Sequence, residues 1–323
     1  MKVLITGGAG FIGSHLAEAC LSRGDEVYVI DNLSTGNLSN IEHLQKNPEY
    51  RERFFVTIDT IMNYDVLLEL VGTCDMVYHM AAAVGVKYIL DNPLDSIITN
   101  IQGTEQVLAL CNKFKKKVLI ASTSEAYGKH THAPLVETDN VIYGCSTTTR
   151  WSYAATKLVD EFTALAYWKT KKLPVIIVRF FNTIGPRQTG RYGMVIPRFV
   201  KQALRNHDLT VYGDGSQTRT FTHVRDVVKS LLLLTEIPEA LGEVINIGGN
   251  REISIRDVAE MIIKLTGSKS RIKLIPYEEA YERDFEDMAR RVPSVEKLKR
   301  MIDYVPDSSL EDILTNIIDY MEA

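Results

Sequence analysis

Apolar residues along this chain come in short runs that alternate with longer stretches of helical spacing. Val3-Leu4-Ile5-Thr6 is the first run, and others follow at 27–30, 54–57, 76–79, 118–122 and 174–178. Each has the length of a buried strand, and strands covered on both faces read as continuous apolar runs. Between them, residues 12–23, 64–71, 93–113 and 152–169 space their apolar positions for helices. Strands that alternate with helices predict an α/β fold with a doubly wound parallel sheet.

The pattern changes in the second half. Pro186, Gly190, Gly193 and Pro197 mark a loop-rich segment, followed by a helix at 194–206, a strand at 209–212, a helix at 224–236 and a strand at 243–247. Ser254-x-x-Asp257 and Ser308-x-x-Glu311 read as capping boxes that open two further helices. The expected division is a domain over 1–180, joined again by a returning segment near 224–250, and a smaller α/β domain made mostly of 181–323.

The first 31 residues carry the earliest chemical signal. Strand 3–6 runs into Gly7-Gly8-Ala9-Gly10-Phe11-Ile12-Gly13, then a helix to Arg23 with Gly24 as its stop, then Val27-Tyr28-Val29-Ile30 and Asp31. Glycines let the backbone approach a pyrophosphate, and the open N–H groups of a helix start attract its charge. An acid at the end of the second strand accepts hydrogen bonds from ribose hydroxyls. The order predicts a Rossmann-type dinucleotide domain, and Asp31 favours NAD over NADP because a carboxylate repels a 2′-phosphate.

Two further segments supply reactive groups. Tyr153 and Lys157 stand four apart on a predicted helix and share one face. An ammonium beside a phenol stabilises the phenolate, so the tyrosine can act as a base. Strand 118–122 delivers Ser122-Thr123-Ser124-Glu125 at its carboxyl end, the edge where open α/β sheets place ligands.

Composition narrows the class. The chain has 323 residues and a net charge of −4, with Lys115-Lys116-Lys117 as its longest basic run. Nucleic-acid binding is not expected. Cys20, Cys74, Cys111 and Cys145 are scattered without metal-ligand spacing, so neither structural zinc nor a disulfide framework is expected, and a reducing cytoplasm fits. Met1-Lys2-Val3 leads straight into a strand, and no apolar stretch has membrane-spanning length; neither a signal peptide nor a membrane partner is expected.

Taken together, these residues resemble the extended short-chain dehydrogenase/reductases that act on nucleotide sugars. The likeness rests on Gly7-x-x-Gly10-x-x-Gly13, Asp31, Asn100, Thr123-Ser124-Glu125, Tyr153/Lys157, Arg179-Phe180-Phe181-Asn182 with Gly185-Pro186, and Val211-Tyr212-Gly213-Asp214-Gly215. It implies transient oxidation of a sugar C4 hydroxyl by NAD. Tyr153 would take the O4 proton, Lys157 would tune it and hold the nicotinamide ribose, and Thr123 would polarise O4. Gly7, Gly10, Phe11, Ile12, Gly13, Asp31, Asn32, Asp59, Met80, Ala81, Ala82 and Asn100 would line the cofactor. Asn182, Tyr212 and Arg219 would hold the substrate's nucleoside diphosphate. The resemblance also implies a homodimer paired through the helices near 93–113 and 152–169, where Val107, Leu110, Phe114, Leu158, Phe162 and Leu165 serve either that interface or the core.

Members of this family diverge after the 4-keto sugar forms. A 4-epimerase only rotates it, a 4,6-dehydratase eliminates water, and a uronate decarboxylase exploits the β-keto acid that the ketone creates. Glu125 discriminates, because it can handle a C5 proton, while Ser124 stands where the dTDP-sugar dehydratases carry an acid. Arg150-Trp151-Ser152-Tyr153 and Arg290-Arg291-Val292-Pro293 resemble decarboxylase segments, the second placing Arg291 near a uronate carboxylate. Arg187-Gln188-Thr189-Gly190-Arg191-Tyr192-Gly193 and Ala81-Ala82-Ala83-Val84-Gly85-Val86 depart from that pattern and resemble a branch to which epimerase activity is attributed. The expected substrate is a UDP-linked sugar and the expected reaction is decarboxylation of UDP-glucuronate, with 4-epimerisation and 4,6-dehydration as alternatives. A protein that only binds NAD as a sensor or scaffold is the reading from a different class.

Overall fold

The computed structural model describes residues 1–190, 194–276, 279, 288 and 290–322. Arg191, Tyr192 and Gly193, and the acids Glu286 and Asp287 that could partner Arg291, lie outside the described residues.

Six strands in chain order form most of one sheet: β1 (Lys2–Thr6), β2 (Glu26–Asp31), β3 (Phe54–Ile58), β4 (Met76–His79), β5 (Lys117–Thr123) and β6 (Val175–Phe180). The strand Val244–Ile247 completes it beside β6, and the order across the sheet is 244–247, β6, β5, β4, β1, β2, β3. All pairings are parallel. The order reverses between β1 and β4. The crevice above the carboxyl ends of those two strands is therefore the natural ligand site.

Side chains alternate across each strand and feed two cores. Val3 and Ile5 of β1 join Leu16, Val29, Val227 and Leu231 on one face. Leu4 joins Val71, Val107, Leu110 and Ile120 on the other. Helices Phe11–Ser22 and Val224–Glu236 cover the first face, and Tyr64–Thr73, Pro93–Phe114 and Arg150–Lys171 contribute to the second. The segment 224–247 thus packs on the large sheet even though it follows the loop-rich region.

A third core lies in the later part of the chain. Phe199, Val211, Val258, Ile262, Leu314 and Ile317 meet there, brought in by helices Val195–Leu204, Ile255–Thr266 and Leu310–Glu322. Ser254 caps its helix as expected, with its Oγ accepting the Asp257 N–H at 3.0 Å. The last helix corrects the expectation by one residue. Ser309, not Ser308, accepts an N–H, from Asp312 at 3.1 Å. Both serines have an acid three positions on, and the helix starts at Leu310, which selects the second.

Among the apolar residues left open between core and interface, Val107 and Leu110 are buried. Phe114 and Leu165 pack partly against the core, and Phe162 is 64 % exposed. No helix among the described residues is long and apolar enough to cross a membrane.

Candidate active site

The turn after β1 leaves no room for side chains. Gly7 has φ +70°, and a Cβ on it would stand 2.8 Å from the backbone of Ala81. A Cβ on Gly13 would stand 2.2 Å from the Gly7 carbonyl oxygen. The helix Phe11–Ser22 begins at Gly10 with neither a side-chain cap nor an acid in its first turn. Its first N–H groups therefore keep their capacity for an anion. Asp31, at the end of β2, is 8 % exposed and accepts N–H bonds from Ala9 (3.0 Å) and Leu33 (2.8 Å). Burial pushes its carboxyl up, while those backbone donors oppose the rise. Bare backbone, an uncapped helix start and a strand-end carboxylate together fit a dinucleotide.

The other expected lining residues have definite local roles. Met80 N–H donates to the Thr6 carbonyl at 3.1 Å, and Ala81 N–H to the Thr6 hydroxyl at 3.2 Å. Asn100 accepts the Ala83 N–H at 2.8 Å and donates to Thr156 Oγ1 at 3.3 Å. It ties the loop after β4, which carries Ala82, to the helix that holds Tyr153. Asn32 is exposed and accepts the Ser34 N–H at 3.1 Å. Asp59 accepts from Thr60 N–H (2.7 Å) and the Asn63 amide (2.9 Å), which shapes the turn after β3.

The reactive groups converge where β5 meets the helix Arg150–Lys171. Thr123 caps the single turn Ser124–Tyr127 by accepting the Glu125 N–H at 3.2 Å. That turn is held from below. Tyr127 donates to Asn246 at 2.8 Å, and the Arg179 guanidinium lies 4.4 Å from the Tyr127 ring centroid. Arg179 also bonds both oxygens of buried Glu161, at 2.9 and 2.7 Å. Tyr153 is buried, with the Thr123 hydroxyl close enough to favour its ionised form. Burial pushes its phenol up and the Glu125 charge raises it further, against the Thr123 hydroxyl and the Arg291 charge. The Lys157 ammonium stands 2.8 Å from Asp160, with both side chains almost wholly buried.

Glu125 faces two guanidinium groups. Arg291 Nη1 is 3.3 Å from its Oε1 and 3.5 Å from Ser124 Oγ, and Arg150 Nη2 is 4.0 Å from the same Oε1. A small sheet brings Arg291 there. Strand Arg290–Arg291 lies parallel to Thr218–Thr220 with Arg291 opposite Arg219, and Glu252–Ser254 closes the other side. Arg290 anchors the strand by gripping both carboxylate oxygens of Glu252 at 2.8 and 2.7 Å. Two arginines in register, each largely buried, suit a site built for anions.

Asn182 lies beside this sheet, its amide donating to the Thr220 carbonyl at 2.9 Å. Tyr212 ends the strand Leu209–Tyr212 of a separate two-stranded sheet and lies under the Arg198 guanidinium, 4.2 Å from its ring centroid. The structure thus brings Thr123, Ser124, Glu125, Tyr153 and Arg291 together directly, and Asn182 and Arg219 as neighbours through one sheet. Sequence reasoning missed His79, Asp160 and Arg198. Asp160 had a signal, because it stands three residues from Lys157 on one helix face.

Comparison with known proteins identifies the family. The family model described as GDP-mannose 4,6 dehydratase matches residues 4–317. The chain is 43% identical over 320 residues to a UDP-N-acetyl-alpha-D-glucosaminuronate decarboxylase from Bacillus cytotoxicus, covering 99% of this chain and 97% of the relative. It is 34% identical to UDP-glucuronic acid decarboxylase 1 of Arabidopsis thaliana, over 98% of this chain and 69% of that one. Among solved structures, UDP-glucuronic acid 4-epimerase from Bacillus cereus, in complex with UDP-glucuronic acid and NAD, superposes with a TM-score of 0.88. It is 33% identical, over 100% of this chain and 99% of that one. The chain belongs to the GDP-mannose 4,6-dehydratase family of extended short-chain dehydrogenase/reductases, the nucleotide-sugar-modifying branch of that fold.

Proposed function

We propose that this protein is an NAD-dependent decarboxylase of a UDP-linked hexuronate. The observation that carries the reading is the Glu125–Arg291 contact near Tyr153, which puts an acid/base and a carboxylate-binding guanidinium next to the base of the oxidation step. NAD, when bound, would supply the hydride acceptor and donor for sugar C4. The glycine turn and the helix start after Gly10 hold the pyrophosphate, and Asp31 holds the adenosine ribose. Met80, Ala81 and Ala82 line the dinucleotide.

Tyr153 removes the O4 proton as the C4 hydrogen leaves, while the Thr123 hydroxyl steadies O4. The resulting ketone is β to the C6 carboxylate. The C5–C6 bond then breaks, its electron pair moves into the C4–C5 enolate, and carbon dioxide departs. Glu125 governs the proton delivered to C5, and Tyr153 re-protonates O4 when the ketone is reduced. Arg291, with Arg219 beside it, gives the uronate and diphosphate end of the site its positive charge. The 43% relative acts on a 2-acetamido uronate by its name, and the plant relative on the simple one. Both belong in the assay.

One observation favours a second reading, 4-epimerisation of the same uronate: the likeness to the Bacillus cereus epimerase, which spans the whole chain. Product analysis by proton NMR separates the two. A UDP-pentose supports decarboxylation, and a C4-inverted UDP-uronate with its carboxylate intact assigns the chain to the epimerases.

We also propose a homodimer. Leu94 and Ile98 on the helix Pro93–Phe114, and Val159 and Phe162 on Arg150–Lys171, are exposed apolar side chains on helices that pack against one another. A second copy of the same two helices would cover them.

A further inference from the structure

Lys157 is buried beside a carboxylate that the reaction does not use. Its ammonium lies 2.8 Å from Asp160 Oδ2, and the two side chains are 2 % and 1 % exposed. Burial raises the Asp160 carboxyl, and the nearby Thr104 hydroxyl on the neighbouring helix stands, after Lys157, among the groups that oppose the rise. Thr104 Oγ1 is 3.1 Å from His79 Nε2, and His79 Nδ1 is 2.8 Å from Thr6 Oγ1. Thr6 Oγ1 in turn accepts the Ala81 N–H at 3.2 Å.

A neutral imidazole fits these bonds, one ring nitrogen donating to a threonine hydroxyl and the other accepting from one. Burial, and then the Lys157 charge, pull His79 down to about 3. Hydrogen bonds thus run from Ala81, just past the end of β4, through Thr6 and His79 to Thr104, whose hydroxyl lies near the carboxylate that holds the lysine.

We infer that Asp160 is a positioning residue for Lys157: its carboxylate is the buried counter-ion that holds the ammonium in place for the dinucleotide crevice, with Thr104 beside that carboxylate. The inference rests on the reading of Lys157 as the group that binds the nicotinamide ribose. The charged neighbours are accounted for. Glu161 repels Asp160 from the same helix but is itself bound at both oxygens by Arg179. Glu125 and Arg291 act on Tyr153 from the substrate side, and His79 is neutral. Asp160 also raises the Tyr153 phenol through space.

A buried ammonium without a counter-ion gives up its proton more readily. A function that needs the charged form is present at low pH and lost as pH rises, and without Asp160 the loss begins at lower pH. The test is NAD affinity, titrated calorimetrically from about pH 6 to pH 9.5, for the wild type, Asp160→Asn and Asp160→Glu. In Asp160→Asn the affinity should match the wild type within about twofold at the acid end and fall at least about tenfold below it at the alkaline end. Asp160→Glu, which keeps the charge, should recover most of that loss. The alkaline limb of kcat on the turned-over sugar should move with the affinity. Should Asp160→Asn not fold, Thr104→Val keeps the shape and removes a hydroxyl that stabilises the carboxylate; its alkaline loss should also begin at lower pH, by less. NAD profiles that run parallel to wild type across the range overturn the inference. NAD titration needs no sugar, so an error in the assigned substrate would show in product analysis and leave this result readable.

Discussion

Glu125 Oε1 lies 3.3 Å from Arg291 Nη1, although the two residues are 166 positions apart. One is delivered by the single turn after β5 and the other by a two-residue strand of the small sheet. Their contact joins the proposed acid/base to the group that would hold the leaving carboxylate.

Arg291→Gln removes that guanidinium and keeps a polar side chain. Charge-assisted hydrogen bonds contribute about 1.5–3 kcal/mol, so kcat/KM for the uronate should fall roughly 10- to 150-fold. Arg291→Lys should recover little, because an ammonium cannot reproduce the planar fork. Steady-state kinetics on both variants checks this. Wild-type kcat/KM in Arg291→Gln would remove Arg291 from carboxylate recognition.

Glu125→Gln separates oxidation from decarboxylation. The Glu125 charge raises the Tyr153 phenol, and the phenol must ionise to act. Removing that anion should therefore move the acid limb of the oxidation step to lower pH. Product release should fall by about 10²–10⁴-fold with the lost proton transfer. Nicotinamide absorbance at successive pH values reports the first effect, and product yield the second. An unmoved acid limb together with full product yield would contradict both roles.

Arg290 and Glu252 anchor the strand that carries Arg291. The bidentate pair draws the Glu252 carboxyl down to about 2. A depressed carboxyl contributes stability above its unfolded pKa, near 4.3, and loses it as pH falls through the folded value. The grip on the strand is therefore expected to hold at neutral pH and to fail between about pH 4.3 and pH 2. Glu252→Gln should mimic that loss at neutral pH, raising KM for the uronate with little change in Tm, because the pair is partly exposed. An unchanged KM would show that Arg291 is placed without it.

Phe162→Glu puts a charge on the most exposed aromatic of the two paired helices. Light scattering should show the wild type at twice the chain mass and the variant shifted to the monomer. A wild-type monomer would contradict the proposed pairing.

Much of the fold was legible because short apolar runs alternating with helical spacing leave few alternatives. The runs at 3–6, 27–30 and 118–122 became β1, β2 and β5, and each grew only by a residue or two at its ends. The strands Thr218–Thr220 and Arg290–Arg291 were not legible. They are too short to show a period, and pairing with distant partners makes them strands at all. The same limit applies to the site. Tyr153 and Lys157 announce themselves by helical spacing, whereas the roles of His79 and Asp160 depend on β4 and two helices meeting in one buried place. The helix cap shifted from Ser308 to Ser309 because two adjacent serines each satisfy the same local rule.

The most direct test of C4 oxidation leading to loss of C6 is a carbon label. UDP-glucuronate and its 2-acetamido counterpart, each labelled at C6, are incubated with the protein and NAD, and the label is followed into gas and sugar nucleotide. The expected result is one equivalent of labelled carbon dioxide for each unlabelled UDP-pentose formed from at least one of them. Label retained in full on a UDP-uronate inverted at C4 would contradict it.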